Sequence, residues 1–155
     1  MIRFEIALEA PGWARFDLAN EAVEISISAS GLSDALSQLI NCAAILAEGV
    51  PFCVCKIQAE PGEFRLFFKA SGTNLSLSLL SFADTFSRAK DEDGKLLFEG
   101  SESTTHFVRT ILRQFERLSG SDKGKGYHEL WGHPYPLKEL MRLRESLKGL
   151  RATSE

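Results

Sequence analysis

Two histidines and a neighbouring glutamate, His128, Glu129 and His133, are the residues whose types could best support a reaction. Metal-dependent proteases use such a set, with the histidines four residues apart on a helix so that both reach one metal ion. Here the histidines are five residues apart, which turns the second imidazole by about 140° around a helix axis. We therefore predict no catalytic residue and no metal site, and a metal-dependent hydrolase built on this segment stays an alternative.

The same segment is better explained as a structural latch between the body of the protein and a helix that begins at about Leu137. Large aromatic rings supply much contact area. Proline restricts its own backbone and that of the residue before it, so it can fix how the chain enters a helix. The predicted latch residues are Tyr127, Trp131, Pro134, Tyr135 and Pro136.

Three cysteines, Cys42, Cys53 and Cys55, suggest a second kind of chemistry. The last two are two residues apart on a predicted strand, so their side chains point to one face. A soft metal ion would need a fourth donor that the sequence does not suggest, and there is no C-x-x-C redox motif. The odd number, without a signal peptide, favours reduced thiols in a cytoplasmic protein. We expect thiols that pack as small hydrophobic side chains, and we predict no cofactor.

Length and charge narrow the classes of protein further. A chain of 155 residues fits one domain, which we expect over residues 1–150, with a disordered tail over 151–155. The net charge of −3 provides no basic field, so no nucleic-acid partner is predicted. No stretch of apolar residues is long enough for a membrane helix, so no membrane partner is predicted either.

The periodicity of apolar residues predicts the order of the elements. Helical spacing of apolar residues predicts three helices, over 31–48, 101–118 and 137–147. Pro61-Gly62 and Asp93-Gly94 each predict a hairpin turn. Alternation of apolar and polar residues predicts about six to seven strands, over 2–9, 13–18, 22–29, 52–60, 63–70, 74–82 and 95–99. Without regular β-α-β alternation, this order predicts an α+β fold, a mainly antiparallel sheet with its helices largely on one face.

Two surfaces are candidates for binding another protein. Serines occupy alternate outward positions on two predicted strands, and on one sheet they would form a flat face of small hydroxyl groups. Such a face can be approached by another protein at a low desolvation cost. The last predicted helix adds a basic surface. The predicted interaction residues are Ser26, Ser28, Ser76, Ser78, Arg142, Arg144 and Lys148.

These features together predict a non-catalytic protein–protein interaction module, whose partner is another protein or a second copy of the chain. In size and architecture the chain resembles small acidic proteins of the bacterial cytoplasm, such as immunity proteins that neutralise toxins, or adaptors. No single motif carries that resemblance. A module that holds a small apolar molecule between sheet and helices is a further alternative, which the eleven phenylalanines permit.

Overall fold

Seven antiparallel strands form two separate sheets in the computed structural model, which describes residues 1–120 and 125–154. Sheet A has the order β1 (Arg3–Ala10), β2 (Trp13–Ala19) and β3 (Glu24–Ser30). Sheet B has the order β4 (Phe52–Gln58), β5 (Glu63–Ser71), β6 (Asn74–Phe82) and β7 (Lys95–Ser103). The predicted α+β class and antiparallel pairing are confirmed, but the strands are divided between two sheets rather than joined in one.

Alternation along each strand places one set of side chains in a shared core. In sheet A, the cross-strand row of Ile6, Phe16 and Ile27 is buried. In sheet B, Leu79 pairs with Leu66 on one side and Phe98 on the other, and all three are buried. Because side chains alternate between faces, the residues between these positions point outward on both sheets.

Helices cover the inward faces of both sheets. They are α1 (Ala35–Ala47), α2 (Thr104–Leu118), α3 (Lys125–Trp131) and α4 (Leu137–Ser154). Helix α1 packs on β4 and α2, and α2 in turn contacts β1, β6 and β7. Helix α4 forms an outer layer on α1 and α2, and α3 packs on β1 and β2. The core therefore lies between the sheets and the pair α1 and α2.

Side chains cap the starts of α1 and α2. The Asp34 carboxylate accepts a hydrogen bond from the backbone N–H of Ser37 at 3.3 Å. The hydroxyl of Ser103 accepts one from the backbone N–H of His106 at 3.1 Å. These bonds satisfy amide groups that the first turn of a helix leaves without partners.

The two predicted hairpin turns have different outcomes. The turn at Pro61-Gly62 is confirmed, because Gln58 pairs with Glu63 and Gly62 has a φ of +113°. The turn at Asp93-Gly94 is wrong, since Gly94 has a φ of −74° and Asp91–Asp93 forms a 3-10 turn. The packing of Phe82, rather than a turn, explains the glycine at position 94, because a Cβ there would lie 2.5 Å from the ring of Phe82. Strands β6 and β7 are instead joined by loop 83–94.

The C-terminal third departs from the predicted boundaries in two places. Helix α3 is not among the three predicted helices, and it ends at Trp131, directly before Gly132, whose φ of +90° suits a residue just after a helix. Helix α4 continues past Gly149 to Ser154. The side chains of 151–155 lie outside the described residues, so the predicted disordered tail stays a prediction. In the described ranges no helix is both long and apolar enough to cross a membrane.

Candidate functional site

The outward face of sheet B carries apolar side chains that the core does not cover. Strand pairing places Val54, Phe67, Ser78 and Glu99 in one row across the four strands. A second row contains Phe52, Lys69, Ser76 and Ser101, and a third contains Lys56, Arg65, Leu80 and Leu96. Apart from Arg65, we call the residues of these three rows the open face.

Aromatic and aliphatic groups are prominent on the open face. Phe52 is 53% exposed and Leu96 is 50% exposed. Phe67 is half-buried, and its ring centroid lies 6.3 Å from that of Phe52. Val54 next to them is also half-buried. Contiguous exposed apolar groups of this kind, bordered by polar residues, mark sites of interaction with other molecules.

A buried arginine closes one end of this face. Arg65 points outward from β5, yet its side chain is only 3% exposed because loop 83–94 folds over it. Its Nε donates to Glu63 at 2.6 Å, and its Nη1 donates to Asp91 of the loop at 2.7 Å. The guanidinium also donates to the carbonyl oxygens of Ala89 and Ser87.

The aromatic ring of Phe82 completes the surroundings of Arg65, with the guanidinium carbon 3.8 Å from the ring centroid. Burial by itself would lower the pKa of Arg65, but hydrogen bonds to Glu63 and Asp91 raise it above its usual value. The cation therefore stays charged and fixes the loop on the sheet. Loop 83–94 is thus held in a fixed position against the outward face of sheet B.

Loop 83–94 presents a further exposed aromatic side chain, Phe86, which is 59% exposed. Its φ of 50° lies in the left-handed region that residues other than glycine rarely adopt. The backbone N–H of Phe86 donates to the side-chain oxygen of Gln58 at 2.6 Å, and Gln58 donates to Glu63 at 2.7 Å. Gln58 follows Lys56 by two residues on β4, so Phe86 borders the open face at that corner.

The outward face of sheet A is different in character. Ser26 donates to Asp17, and Arg15 pairs with both Glu9 and Asp17. Glu9, Arg15 and Asp17 are therefore paired with one another, whereas Arg3, Glu5 and Glu24 on the same face form no ion pair among residues 1–120 and 125–154. Ser26 and Ser28 do not share a sheet with Ser76 and Ser78, because β3 belongs to sheet A and β6 to sheet B, so the single serine face considered from the sequence does not form.

The predicted basic surface on α4 is also largely paired within the chain. Arg142 donates to both carboxylate oxygens of Glu48, at 3.0 and 2.7 Å, and so connects α4 to the end of α1. Hydrogen bonds from Arg142 lower the pKa of Glu48. Arg144 lies 3.8 Å from Glu116, and Lys148 lies 3.2 Å from Glu145.

The aromatic segment before α4 is packed into the protein. Trp131 is fully buried, and its indole N–H donates to the N-cap carboxylate of Asp34 at 2.9 Å. Tyr127 is buried edge-on against Tyr135, with centroids 5.2 Å apart, and burial raises its pKa. The Tyr135 hydroxyl donates to the carbonyl of Phe115 at 2.7 Å. These contacts connect α3 to the ends of α1 and α2.

Backbone contacts connect the same segment to sheet A. The N–H of Gly12, in the turn between β1 and β2, donates to the carbonyl of Leu130 at 2.7 Å. A Cβ at Gly31 would lie 3.0 Å from the carbonyl oxygen of Trp131, so this close approach favours glycine. Pro136 is buried directly before α4, whereas Pro134 is exposed.

The two histidines of this segment have separate surroundings. His128 is exposed on α3, while Nε2 of His133 lies 2.8 Å from the carbonyl oxygen of Gly31. The ring of His133 also packs on Trp131, with centroids 5.6 Å apart. Across residues 1–120 and 125–154, no group of three or more His, Cys, Asp or Glu side chains could hold a metal ion. The geometry therefore gives the metal-dependent hydrolase no support.

The cysteines correct one expectation. Cys42 of α1 and Cys53 of β4 form a disulfide, with their Cα atoms 5.9 Å apart, because the buried face of α1 packs against β4. The prediction of three reduced thiols is therefore wrong for these two. Cys55 is a free, fully buried thiol, and burial raises its pKa to about 12, which makes it a poor nucleophile.

Comparison with known proteins adds nothing to this geometry. No protein-family model matches the chain, and no curated protein or solved structure matches it. The functional conclusion therefore depends on the surfaces described above.

Sequence reasoning identified Ser76 and Ser78 of the open face but missed Phe52, Phe67 and Phe86. A signal for Phe52 was present, since cysteines placed inward at alternate positions require their neighbours to point outward. Phe67 is hidden in a run of mostly apolar residues over 64–68, where alternation is difficult to recognise. Phe86 belongs to a loop whose shape depends on Arg65, which no local pattern indicates.

Proposed function

We propose that this protein is a non-catalytic interaction module, comparable in kind to an immunity or adaptor protein, that binds a protein partner through the open face of sheet B. The observation that carries the proposal is the exposed ring of Phe52, which lies beside Phe67 and Val54 on the same face. Aromatic side chains of this kind are enriched at the centres of protein interfaces, where they supply much of the binding energy.

Rigidity of the surface supports this function. Loop 83–94 is held by Arg65, and the disulfide of Cys53 connects the edge strand β4 to α1. A surface fixed before binding loses little conformational entropy when a partner arrives. The uncharged serines at Ser76 and Ser78 add contact area without the desolvation cost of ions.

The test compares one substitution on each sheet. Phe52→Lys places a charge on the open face, and Ser28→Lys places the same charge on the outward face of sheet A. Tagged wild-type protein and both variants are produced at native levels in source cells, and each lysate is separated by size-exclusion chromatography. We expect wild type and Ser28→Lys to elute in a complex of defined mass, and Phe52→Lys to elute as the free chain.

Circular dichroism and thermal melting of the purified variants establish that both are folded, as expected for substitutions at exposed positions. The proposal is wrong if Phe52→Lys elutes with the complex, or if wild type elutes as a free monomer throughout. If only Ser28→Lys lost the complex, the partner would bind sheet A, and this result would also contradict the proposal.

A further inference from the structure

A groove of about 390 Å³ runs between α2 and α4 on the helical side of the protein. It is lined by Leu112 of α2 and by Met141, Arg144, Glu145, Leu147 and Lys148 of α4. Helix α4 packs on the outer side of α1 and α2, whereas the open face is the outward side of sheet B. The groove therefore lies across the core from the open face, and an inference about it goes beyond the proposed function.

Apolar side chains of this groove stay exposed to solvent. Met141 is 57% exposed, and Leu112 on the α2 side of the groove is half-buried. One turn before Met141, on the same side of α4, Leu137 is 55% exposed. Exposed apolar side chains that are grouped in this way, rather than scattered singly, mark sites of interaction. Methionine is common at such sites because its flexible side chain adapts to different partners.

Helix α2 contributes two arginines to this surface. Helical spacing places Arg109 and Arg113 beside Leu112, which lines the groove. Neither arginine forms an ion pair with any residue in 1–120 and 125–154. In that part of the chain Nε of Arg109 is also buried without a hydrogen-bond partner. These cations are therefore available to an anionic partner.

The cations on the α4 side are only weakly neutralised. Arg144 lies 3.8 Å from Glu116, and Lys148 lies 3.2 Å from Glu145. All four side chains are well exposed, so water screens these pairs and the carboxylates of a partner can compete for the cations. Together with the two arginines of α2, the groove has four cations and two carboxylates. Its charge of +2 contrasts with the net charge of −3 for the whole chain.

The neighbouring charges do not reverse this sign. The next charged positions around the two helices are basic, Arg117 on α2 and Lys138 on α4. Glu48 is bound to Arg142 on the side of α4 that faces α1. Helical spacing places Glu139 on that same side, away from the groove. The groove therefore combines an apolar floor with a positive rim.

We infer that this groove binds an amphipathic helical segment of a protein partner that carries acidic residues beside its apolar stripe. The apolar stripe covers Leu112, Leu137 and Met141, and the flanking carboxylates pair with Arg109 and the other cations of the rim. An amphipathic helix in a groove between two helices is a recurrent mode of peptide recognition. With the open face on the opposite side, the protein has two docking surfaces, as an adaptor that joins two partners requires.

The experiment selects ligands for the purified full-length protein from a display library of random peptides of about 16 residues, long enough for four helical turns. Wild type is expected to enrich peptides that combine acidic residues with apolar residues spaced three and four apart. One helix buries less surface than a standard interface, so the contact is measured at equilibrium rather than by co-elution. The tightest peptide is synthesised with a fluorescent label, and its Kd is measured by fluorescence anisotropy.

Two groove variants and one matched control locate the peptide. Arg144→Glu/Lys148→Glu reverses two exposed charges of the rim and is expected to raise the peptide Kd by about tenfold or more. Met141→Lys places a charge on the apolar floor and is expected to raise the Kd as well. Lys56→Glu/Lys69→Glu makes the same change in net charge on the open face and is expected to leave the Kd unchanged. Circular dichroism and thermal melting establish that the variants are folded.

A charge-swapped peptide provides the decisive measurement. When each acidic residue of the peptide is replaced by lysine, the new peptide is expected to bind Arg144→Glu/Lys148→Glu more tightly than wild type. Loss of stability in the variant cannot produce this gain. The inference is overturned if the selection returns no acidic amphipathic peptides, if both groove variants bind the peptide as tightly as wild type, or if the control weakens binding as much as they do.

A membrane surface is the alternative occupant of a positive groove with exposed apolar side chains. Vesicles of anionic phospholipid test it. Vesicle binding that is lost in Arg144→Glu/Lys148→Glu, with no peptide recovered from the library, would assign the groove to lipid and overturn the inference.

The inference and the proposed function fail separately. Phe52→Lys is expected to bind the peptide as tightly as wild type, because position 52 lies across the core from the groove. If the peptide binds at the groove while Phe52→Lys still elutes with the lysate complex, the proposed function is wrong and the groove inference stands. If Phe52→Lys loses the complex but no acidic amphipathic peptide binds wild type, only the groove inference is wrong.

Discussion

The two sheets of this protein are built alike, but their outward faces differ. On sheet A, Arg15 pairs with Glu9 and Asp17, and Ser26 bonds to the same aspartate. On sheet B, the exposed ring of Phe52 lies among lysines that have no ion-pair partner in the described residues. Both faces carry charges without an ion-pair partner in the described residues, so the faces differ in the exposed aromatic surface of sheet B, on which the proposed function depends.

The arginine on each face shows the same contrast at the level of single residues. Arg15 is 42% exposed, so water screens its ion pairs and they contribute little to stability. Arg65 is 3% exposed and is bonded on both sides, to the sheet and to loop 83–94. Arg15 therefore lies on a solvated surface, whereas Arg65 holds loop 83–94 in place against sheet B.

The largest expected effect concerns how sheet A is held in place. Trp131→Ala should lower the free energy of unfolding by about 3–5 kcal/mol, because the fully buried indole leaves a cavity. Since α3 packs on β1 and β2, hydrogen exchange should accelerate more in sheet A than in β6 and β7. Chemical denaturation and hydrogen exchange measure the two effects. An unchanged melting temperature would contradict the packing role of this residue.

The comparison of the two arginines can be tested directly. Arg65→Leu should destabilise the protein by about 3 kcal/mol, because it leaves the buried carboxylate of Glu63 without its cation. Arg15→Leu, the matched change on sheet A, should cost much less, because water screens the ion pairs of this exposed side chain. Urea denaturation of both variants provides the measurement. Equal losses of unfolding free energy in the two variants would contradict the prediction that burial makes the ion pairs of Arg65 stronger than those of Arg15.

The disulfide between Cys42 and Cys53 links strand β4 of sheet B to helix α1. Replacing both Cys42 and Cys53 by serine should lower the free energy of unfolding by about 2–3 kcal/mol, as expected for a short loop closed by a disulfide. The same loss should follow when the wild type is reduced, and reduction should not affect the double variant. Melting curves with and without reductant measure both, and mass spectrometry counts the free thiols. Three free thiols in the purified protein would contradict the bond.

The smallest expected effect concerns the self-paired surface of α4. Arg142 lowers the pKa of Glu48, so the folded protein binds a proton there less readily than the unfolded chain. The pair therefore stabilises fully above the usual carboxyl pKa and is lost as the pH falls through the lower folded value. Because both side chains are over a third exposed, its contribution is at most about 1 kcal/mol. Unfolding free energies of wild type and Arg142→Gln should differ near neutral pH and converge in acid. If the difference in unfolding free energy between the two proteins grew as the pH fell, the predicted contribution of the Arg142–Glu48 pair would be wrong.

Local periodicity was sufficient for most of the fold. Alternation located all seven strands, and helical spacing located α1, α2 and the start of α4. The errors lie where a residue was interpreted by its usual local role. Gly94 was assigned to a tight turn, although its small size is needed against Phe82. The apolar spacing predicts that the last helix ends at residue 147, although α4 continues through Gly149 to Ser154.

For the candidate site, sequence reasoning reached the outward serines of β6 but not the surface to which they belong. The rings of Phe52 and Phe67 become neighbours only when β4 pairs with β5, and Phe86 is placed at the opposite end of β4 by a loop that Gln58 and Arg65 hold. Each of these contacts joins residues that no periodic pattern connects.

The sequence by itself therefore determined which side of each strand and helix faces the core, because that choice follows from the spacing of neighbouring apolar residues. Only the tertiary structure decided that the strands form two sheets, that Cys42 meets Cys53, and that Arg65 meets Asp91. These outcomes depend on how whole elements pack against one another. A contact between distant residues forms only where that packing brings their side chains within reach.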